Sequence, residues 1–380
     1  MTVYIVDVLR SPLCSYLGNL SNLSLKNLGT EVIKNLLIKS NIDPKLIDLV
    51  YIGNVISSGN GQNIARIISY EAGINAPSIT INNVCGSGME SIRNGFNSIR
   101  IGDSDCVLVG GIEHMSSTPY LNKYIKQGNK MGNINLIDSM INDGLTDSFS
   151  DKHMGDITHD MNIKNNLTLE ELNNYALMSY NRAKNNIINL SKEMCQINVK
   201  NNIILHDEEI NKNDINKLTK LKPVFGNTIT AGNASKLSDG ACFMILCSDK
   251  FIKKHNINPI AIIKDIDISV DLPENFPIVP IQSVEKLCKK LNIDINSIDL
   301  FEINEAFATV PLLFSKKLNI DLNKINIYGG AIALGHPLGC SGSRIVCTLL
   351  NSLKTENKNI GCASICVGGG GAVSIIIEKL

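Results

Sequence analysis

An internal repeat constrains the fold of this chain more than any other feature of its sequence. Residues 42–55 and 293–306 share the pattern Ile-Asp followed by Ile-Asp-Leu, and the second aspartates, Asp48 and Asp299, lie 251 positions apart. Self-similarity at a fixed offset indicates two copies of one structural unit. We therefore expect a core built from two related halves.

Helix and strand patterns surround both copies. Amphipathic helix patterns precede them over residues 28–40 and 283–291, and apolar strands that end in glycines follow at residues 106–111 and 363–369. Each copy therefore predicts a strand–helix–strand–helix–strand unit. This alternation is typical of buried, largely parallel sheets with helices packed on them, so we predict an α/β fold.

The segment between the copies differs from both. Residues from about 115 to 240 have no counterpart in the second copy and contain polar loops and a polar helix pattern over residues 169–188. An insertion of this length on a duplicated core is typical of a subdomain that covers a substrate, although a decorative insertion is the alternative. We predict an N-terminal core half (1–115), an inserted subdomain (116–240) and a C-terminal core half (241–380).

Composition narrows the class of protein. Lys+Arg and Asp+Glu both total 36, so net charge gives no argument for a nucleic-acid or acidic-membrane partner. No apolar run approaches the length of a membrane span, and the N-terminus begins as a strand pattern rather than a signal peptide. The 11 cysteines lie largely in apolar runs. We expect reduced thiols, no metal site and a cytoplasmic location.

Two side chains at related turns are candidates for chemistry. Cys85 follows the apolar segment 78–81 and precedes a helix pattern, and His336 lies 251 positions later. A helix N-terminus lowers the pKa of a thiol and makes it a better nucleophile, and a nearby histidine can take its proton. The structural alternatives are a buried small residue for Cys85 and a glycine-rich structural turn for His336.

The stretch Gly329–Arg344 surrounds His336 with five glycines and one proline. Glycines let the backbone adopt conformations closed to other residues and let a substrate approach closely. Pro337 stiffens the turn after the histidine ring. We expect Ser341 or Ser343 to cap the helix that follows.

Two further groups end apolar strands. Cys366 precedes Gly368–Gly371, whose backbone can donate hydrogen bonds to a developing oxyanion; the alternative is a core cysteine at a strand end. Asn304 and Glu305 follow the strand pattern 300–303, where ligands bind in open α/β sheets. Alternatively, this pair starts a helix, with Asn as its cap and Glu as a partner for its dipole.

Four of these stretches together resemble the signature blocks of thiolases: Asn83-Val-Cys-Gly-Ser-Gly88, Asn304-Glu-Ala-Phe-Ala308, Gly329–Arg344 and Cys366-Val-Gly-Gly-Gly370. Within that family the chain is similar to the biosynthetic acetyl-CoA acetyltransferases, and the resemblance extends from Val6 to the C-terminus. It implies the thiolase fold, in which duplicated halves form α-β-α-β-α layers with an inserted loop subdomain.

The resemblance also implies the catalytic roles. Cys85 is acylated by the first acetyl-CoA, with His336 as its base, and Cys366 removes a proton from the methyl group of the second. The enolate oxygen binds to His336 and to a water held by Asn304. The acyl-enzyme oxygen binds to the backbone N–H groups of Cys85 and Gly368.

Coenzyme A contacts are implied for three residues of the inserted segment. His153, Met154 and Ser235 match family positions near the pantetheine. The segment lacks the arginine that thiolases often place near the phosphates of coenzyme A, and Lys220 and Lys222 are the candidate replacements.

The implied reaction is the reversible condensation of two acetyl-CoA molecules to acetoacetyl-CoA and coenzyme A, without a cofactor. Phe276 stands where acetyl-specific relatives have Met, which leaves two alternatives open: a degradative 3-ketoacyl-CoA thiolase, or a silent binder of acyl-CoA. A ketoacyl synthase is disfavoured by Cys366. The family forms dimers or tetramers, so we expect a homo-oligomer, with residues 57–62 as a candidate inter-subunit loop.

Overall fold

Strands form the centre of the molecule. The computed structural model describes residues 1–200, 202–212, 215–218 and 220–380. Its strands are β1 (Val3–Arg10), β2 (Cys14–Ser15), β3 (Leu49–Gly53), β4 (Ser78–Ile81), β5 (Cys106–His114), β6 (Tyr120–Leu121), β7 (Ile137–Asp138), β8 (Ile197–Val199), β9 (Asn202–Ile204), β10 (Pro223–Phe225), β11 (Ile229–Thr230), β12 (Ser238–Ser248), β13 (Ala261–Val270), β14 (Leu300–Ile303), β15 (Ile360–Val367) and β16 (Gly371–Lys379).

Helices lie on both sides of these strands. They are α1 (Leu25–Ser40), α2 (Ile64–Glu71), α3 (Ser87–Arg100), α4 (Met154–Lys164), α5 (Leu169–Asn185), α6 (Ile187–Ser191), α7 (Glu209–Lys212), α8 (Ile215–Leu218), α9 (Asp249–His255), α10 (Val279–Leu291), α11 (Thr309–Leu318), α12 (Ala331–Leu334) and α13 (Leu338–Thr355). None of the helices within the described ranges has both the length and the apolar composition needed to cross a membrane.

The main sheet is continuous through both halves. Its strand order is β14-β15-β16-β13-β1-β12-β5-β3-β4, and β2 pairs with β12 outside this path. The halves meet where β1 and β13 pair antiparallel, from Val3 opposite Ile263 to Ile5 opposite Ala261. The predicted boundary at residue 240 falls inside β12, which pairs with β1 and β5.

The expectation of largely parallel strands was wrong. Only β3 with β4, β3 with β5 and β14 with β15 pair parallel among the described strands, and the other pairs of the main sheet are antiparallel. Parallel neighbours need a crossover connection, whereas β15 and β16 are joined by a short glycine turn that forces an antiparallel hairpin. Strand direction follows these connections rather than the apolar character of the strands.

The helices and strands form the predicted α-β-α-β-α layers. Helices α3 and α13 pack on each other between the strands of the two halves, and their apolar side chains share one buried cluster with both. Helices α1 and α2 cover the outer face of the N-terminal half. Helices α5, α10 and α11 cover the outer face of the C-terminal half. The middle helix layer therefore brings the starts of α3 and α13 close together.

Positions 251 residues apart in sequence are also structurally equivalent in the two halves. Helices α3 and α13 begin at Ser87 and Leu338, which are 251 positions apart. Asp48 Oδ2 accepts the backbone N–H groups of residues 105 and 106 at 2.8 and 2.9 Å. Asp299 Oδ2 accepts those of residues 359 and 360 at 3.0 and 2.9 Å. The duplication therefore includes individual hydrogen bonds.

A buried arginine ties the segment between the halves to β1. The Arg10 side chain is fully buried and donates from Nε to Glu193 Oε1 at 2.6 Å. Its Nη1 and Nη2 donate to the two carboxylate oxygens of Asp207 at 2.7 and 2.8 Å. Because a buried guanidinium needs such partners, these contacts fix residues 193 and 207 against the core.

Candidate active site

A cavity lies where the two halves and the segment between them meet. Eight of the residues predicted from the sequence line it, together with five that were not predicted. The lining residues are Cys85, Gly144, Leu145, His153, Met154, Ser235, Phe276, Ala306, Phe307, His336, Leu338, Cys366 and Gly368.

Cys85 lies in the short connection between β4 and α3. The residue before it, Val84, has a φ of 44°, a left-handed conformation that is strained for a β-branched side chain. Asn82 Oδ1 accepts the Val84 N–H at 3.0 Å, and the Ser87 hydroxyl donates to the Val84 carbonyl at 2.6 Å. Such strain costs about 1–3 kcal/mol and is typical of functional sites. No sequence pattern predicts this strain.

The expectation of a lowered thiol pKa at Cys85 was wrong. Burial raises the pKa of Cys85 to about 12, although the backbone N–H groups of Gly368 and of Cys85 itself lower it. Helix α3 begins two residues after the thiol, and the apolar surroundings outweigh its dipole. The thiol is therefore protonated at neutral pH, and a base must remove its proton.

His336 presents a free nitrogen lone pair. Its Nδ1 lies 2.6 Å from the Ser341 hydroxyl oxygen, and that hydroxyl donates to the Pro337 carbonyl at 2.9 Å. Because the single hydroxyl proton goes to the carbonyl, Nδ1 carries the imidazole proton and Nε2 is unprotonated. Nε2 has no hydrogen-bond partner within the described part of the chain. Burial and the charge of Arg344 lower the pKa of His336 to about 3, which keeps the ring neutral.

Neither Ser341 nor Ser343 caps the helix, so that prediction was wrong. Helix α13 begins at Leu338, and both serines lie inside its first turns. Ser343 Oγ donates to the carbonyls of Cys340 and Cys242 at 2.8 and 3.0 Å. Ser341 instead orients the imidazole, a role that is visible only once the helix start is known.

Cys366 and Gly368 come from the β15–β16 hairpin. Cys366 is buried at the end of β15, and its burial together with the Cys85 thiol raises its pKa well above the usual value. Gly369 and Gly370 have φ values of 85° and 87°, which favour glycine and make the tight turn possible. The turn directs the Gly368 N–H at the Cys85 sulfur.

Asn304 lies beside the cavity rather than in its lining. It follows β14, and its N–H donates to the Ser364 carbonyl on β15 at 2.9 Å. Its buried side-chain amide has no partner at either atom among the described residues. The helix-cap alternative was wrong, because α11 begins at Thr309 after Ala308. The free amide can hold a water or a substrate oxygen.

The predicted coenzyme A contacts divide into two groups. His153 begins α4, accepts the Gly155 N–H at Nδ1 at 3.0 Å and stacks on Phe225 at 4.3 Å. Met154 and Ser235 also line the cavity. Lys220 and Lys222 are exposed and absent from the cavity lining, so the cavity gives them no support as ligands.

Apolar residues complete the cavity wall. Phe276 is buried, and its ring lies edge-on to that of Phe307 with centroids 6.5 Å apart. Ala306 and Phe307 belong to a motif quoted above and could have been predicted from it. Gly144, Leu145 and Leu338 carried no such signal, because their position depends on how the layers pack.

The site combines two thiols, a neutral imidazole and backbone donors in an apolar cavity. In such a site one thiol can be acylated by a substrate while the other thiol donates or accepts a proton. Within the described residues, no group of three or more His, Cys, Asp or Glu side chains could hold a metal ion.

Both halves of the chain match one family of known proteins. Residues 3–250 match the family model for the thiolase N-terminal domain, and residues 257–379 match that for the C-terminal domain. An acetyl-CoA acetyltransferase of Candida albicans is 38% identical over 100% of this chain and 98% of its own length. A relative from Gibberella zeae, named as a cytosolic acetyl-CoA acetyltransferase, is 37% identical with the same coverage.

A solved structure has the same fold. The crystal structure of Acat5 thiolase from Ascaris suum in complex with coenzyme A overlays with a TM-score of 0.95 and 36% identity, over 100% of both chains. The predicted thiolase fold is therefore confirmed. On the evidence of both family models and of full-length relatives, this chain belongs to the thiolase family.

Proposed function

We propose that this protein is an acetyl-CoA C-acetyltransferase, which reversibly condenses two acetyl-CoA molecules to acetoacetyl-CoA and coenzyme A. One observation carries the proposal: the Cys85 thiol, the His336 imidazole and the Cys366 thiol line a single cavity. The names of the relatives from Candida albicans and Gibberella zeae support the acetyl group as substrate.

The first half-reaction transfers an acetyl group to Cys85. His336 Nε2 takes the thiol proton, and the resulting thiolate attacks the thioester carbonyl. The oxyanion accepts hydrogen bonds from the backbone N–H groups of Cys85 and Gly368, which also contact the Cys85 sulfur. Coenzyme A leaves with a proton from Cys366, so the enzyme holds an acetyl-thioester, an imidazolium and one thiolate.

The second half-reaction forms the carbon–carbon bond. The Cys366 thiolate is a strong base because its burial raises its pKa, and it removes a methyl proton from the second acetyl-CoA. The imidazolium of His336 and a water held by Asn304 stabilise the enolate oxygen. The enolate attacks the acetyl group on Cys85, and the departing Cys85 thiolate recovers its proton from His336. The reaction consumes no cofactor.

Intact-mass spectrometry after mixing with acetyl-CoA tests the proposal. We expect one acetyl adduct on the wild type and a more slowly formed one on Cys366→Ala, which lacks the proton donor for coenzyme A. We expect no adduct on Cys85→Ala, and condensation by the wild type alone. The Cys366 variant is the matched control, because it removes a thiol from the same cavity. Folded wild-type protein without an adduct would instead favour the silent acyl-CoA binder.

The alternative, a degradative 3-ketoacyl-CoA thiolase for longer chains, was raised by Phe276, but the position of this residue argues against it. Its ring and that of Phe307 are bulky parts of the cavity wall, which favours a short acyl chain. We expect faster thiolysis of a four-carbon than of an eight-carbon ketoacyl-CoA, and a smaller difference in Phe276→Ala. A wild-type preference for the longer substrate would support the degradative enzyme.

We further propose a cytoplasmic homo-oligomer, a dimer or tetramer. All 11 cysteines are free, as in a reducing compartment, and the Gibberella zeae relative is named as cytosolic. Residues 120–136 expose large apolar side chains, among them Tyr120 at 64% and Met131 at 92%. Surfaces of this kind are typical of subunit contacts. Light scattering after gel filtration measures the subunit number, and a monomer would contradict this proposal.

A further inference from the structure

The segment that carries His336 is held at both ends by buried carboxylates. This segment runs from Ile332 to Gly339 and contains the end of α12, His336 itself and the start of α13. Glu305, just after β14, contacts its first residue. Glu113, at the end of β5, contacts its last residue. The two carboxylates therefore reach it from different halves of the core.

Glu305 is fully buried and uses both oxygens. Its Oε2 accepts the Ile332 N–H at 3.0 Å and the Ser179 hydroxyl at 2.8 Å. Its Oε1 accepts the Tyr175 hydroxyl at 2.9 Å and the Asn326 amide at 3.0 Å. The N-cap residue of α12 is Gly330, which has no side chain to cap the helix, so Glu305 provides the acceptor for its first turn.

Glu113 makes the corresponding contacts at the other end. Its Oε2 accepts the N–H groups of Gly339 and Val55 at 2.9 and 3.0 Å. Its Oε1 accepts the Ile56 N–H at 3.2 Å and the Asn54 amide at 2.9 Å. The N-cap residue of α13 is Pro337, whose ring cannot accept a hydrogen bond, so a carboxylate from the opposite half supplies the acceptor.

The contact at Gly339 depends on close backbone packing. A Cβ on Gly339 would lie 2.6 Å from the Ile112 carbonyl and 3.0 Å from the Glu113 carboxylate. A Cβ on Gly111 would lie 1.9 Å from the Gly339 carbonyl. Glycines at both positions therefore let the start of α13 reach Glu113.

We propose that Glu113 and Glu305 are positioning residues that hold the backbone on both sides of His336, so that Nε2 faces the Cys85 thiol. The inference rests on the proposed role of His336 in acetyl transfer. Ser341 fixes the rotation of the imidazole ring, whereas the two carboxylates fix the position of the His336 backbone. Carboxylates suit this task because both oxygens accept, and every group facing them donates.

Glu113→Gln tests the proposal. Its amide places an NH₂ group against backbone N–H donors, so at least one acceptor is lost. We expect single-turnover acetylation of Cys85 at pH 8, above the Glu113 pKa of about 7, to slow by on the order of tenfold to a hundredfold. The acetyl-CoA concentration that gives half the maximal rate should stay within about threefold, because the binding surface is unchanged.

Glu193→Gln is the matched control. Glu193 is also a buried carboxylate with several hydrogen bonds, to Arg10, Thr348 and Asn351, but it contacts nothing between residues 332 and 339. We expect it to lose stability while acetylating Cys85 at nearly the wild-type rate. A merely structural role for Glu113 predicts equal rates for the folded fractions of the two variants.

Three results separate the possibilities. Wild-type rates in Glu113→Gln, or equal slowing in Glu193→Gln, would overturn the positioning role and leave the proposed function intact. Absence of acetylation in the wild type would overturn the proposed function itself. If Glu113→Gln does not fold, Glu305→Gln is read in the same way, with the same expected slowing and the same control.

Discussion

The hydroxyl of Ser341 fixes which nitrogen of His336 is free to take a proton. Because it donates to the Pro337 carbonyl, it can only accept from the imidazole, and this leaves Nε2 as the base. An imidazole with a pKa of about 3 is a weak base. Proton transfer from Cys85 is therefore uphill until a thioester offers the thiolate a carbonyl to attack.

Ser341→Ala should slow acetylation of Cys85 by about twofold to tenfold, since one hydrogen bond of about 0.5–1.5 kcal/mol that orients the ring is lost. Rapid-quench mass spectrometry measures this rate. Ser343→Ala is the control, because its hydroxyl bonds to carbonyls away from the ring. Equal slowing in both variants would contradict the orienting role.

The sequence motifs predicted which residues belong to the candidate site, but not the surroundings of those residues. Cys85, His336 and Cys366 were predicted because their types and spacing indicate chemistry, and all three line the cavity. The raised thiol pKa of Cys85 and the strained backbone of Val84 were not found. Both arise from packing against residues distant in sequence, so no local pattern reports them.

Equivalent strands and helices of the two halves are stabilised by the same kind of hydrogen bond. Asp48 and Asp299 each accept two backbone N–H groups at the start of the strand that follows the central helix of their half. Burial raises the pKa of Asp299. The N–H groups of Ile360 and Asn359, together with nearby lysines, lower this pKa by more than burial raises it, so it lies below the usual value.

Asp299→Ala should lower the free energy of unfolding by about 2 kcal/mol at pH 7, because two charge-assisted hydrogen bonds are lost. Since the folded state lowers this pKa, the stabilisation is present above the unfolded value of about 3.8 and is lost as the pH falls below it. Urea unfolding at pH 7 and pH 3 measures both effects. The variant and the wild type should differ less at pH 3.

Asp48→Ala, the matching change in the other half, should behave similarly at pH 7, because its carboxylate makes the same pair of bonds. A loss confined to one half would show that the duplicated geometry is not energetically equivalent. An undiminished difference for the Asp299 variant at pH 3 would contradict the linkage argument.

Helices were predicted more successfully than strand direction. The patterns over residues 28–40 and 283–291 correspond to α1 and α10, whose true starts lie three and four residues earlier. In α10 those residues include Pro280, which the first turn of a helix tolerates. Apolar strand patterns carry no information on direction, and this depends on which strands a connection joins.

On the scale of the whole molecule, buried ion pairs join the segment between the halves to the main sheet. Arg10 on β1 bonds Glu193 and Asp207, which belong to the segment between the halves. Removal of this arginine leaves two buried carboxylates without their cation. A broken buried ion pair costs far more than a broken surface pair.

Arg10→Ala should therefore destabilise the protein by about 3–5 kcal/mol, and limited proteolysis should cut the segment around residues 193–207 earlier. Arg100→Ala is the control, because its half-exposed side chain lies 3.9 Å from Asp265 and the pair should contribute less than about 1 kcal/mol. Similar losses from both variants would contradict a linking role for Arg10.

The repeat predicted two related halves and the resemblance to thiolases predicted their layers, but neither predicted how the halves join. The pairing of Val3 with Ile263 across the halves has no sequence signature, because backbone hydrogen bonds between strands are indifferent to side-chain identity.

The position of β1 in the sheet has a consequence for synthesis. The first strand of the chain lies in the interior of the sheet, and its partners begin at Ser238 and Ala261. At about 5–20 residues per second, a ribosome reaches those partners on the order of 10–50 s after it makes β1. Throughout that interval the segment Val3–Val8 has neither of its strand partners, so the main sheet cannot be completed until residues 238–270 have been made.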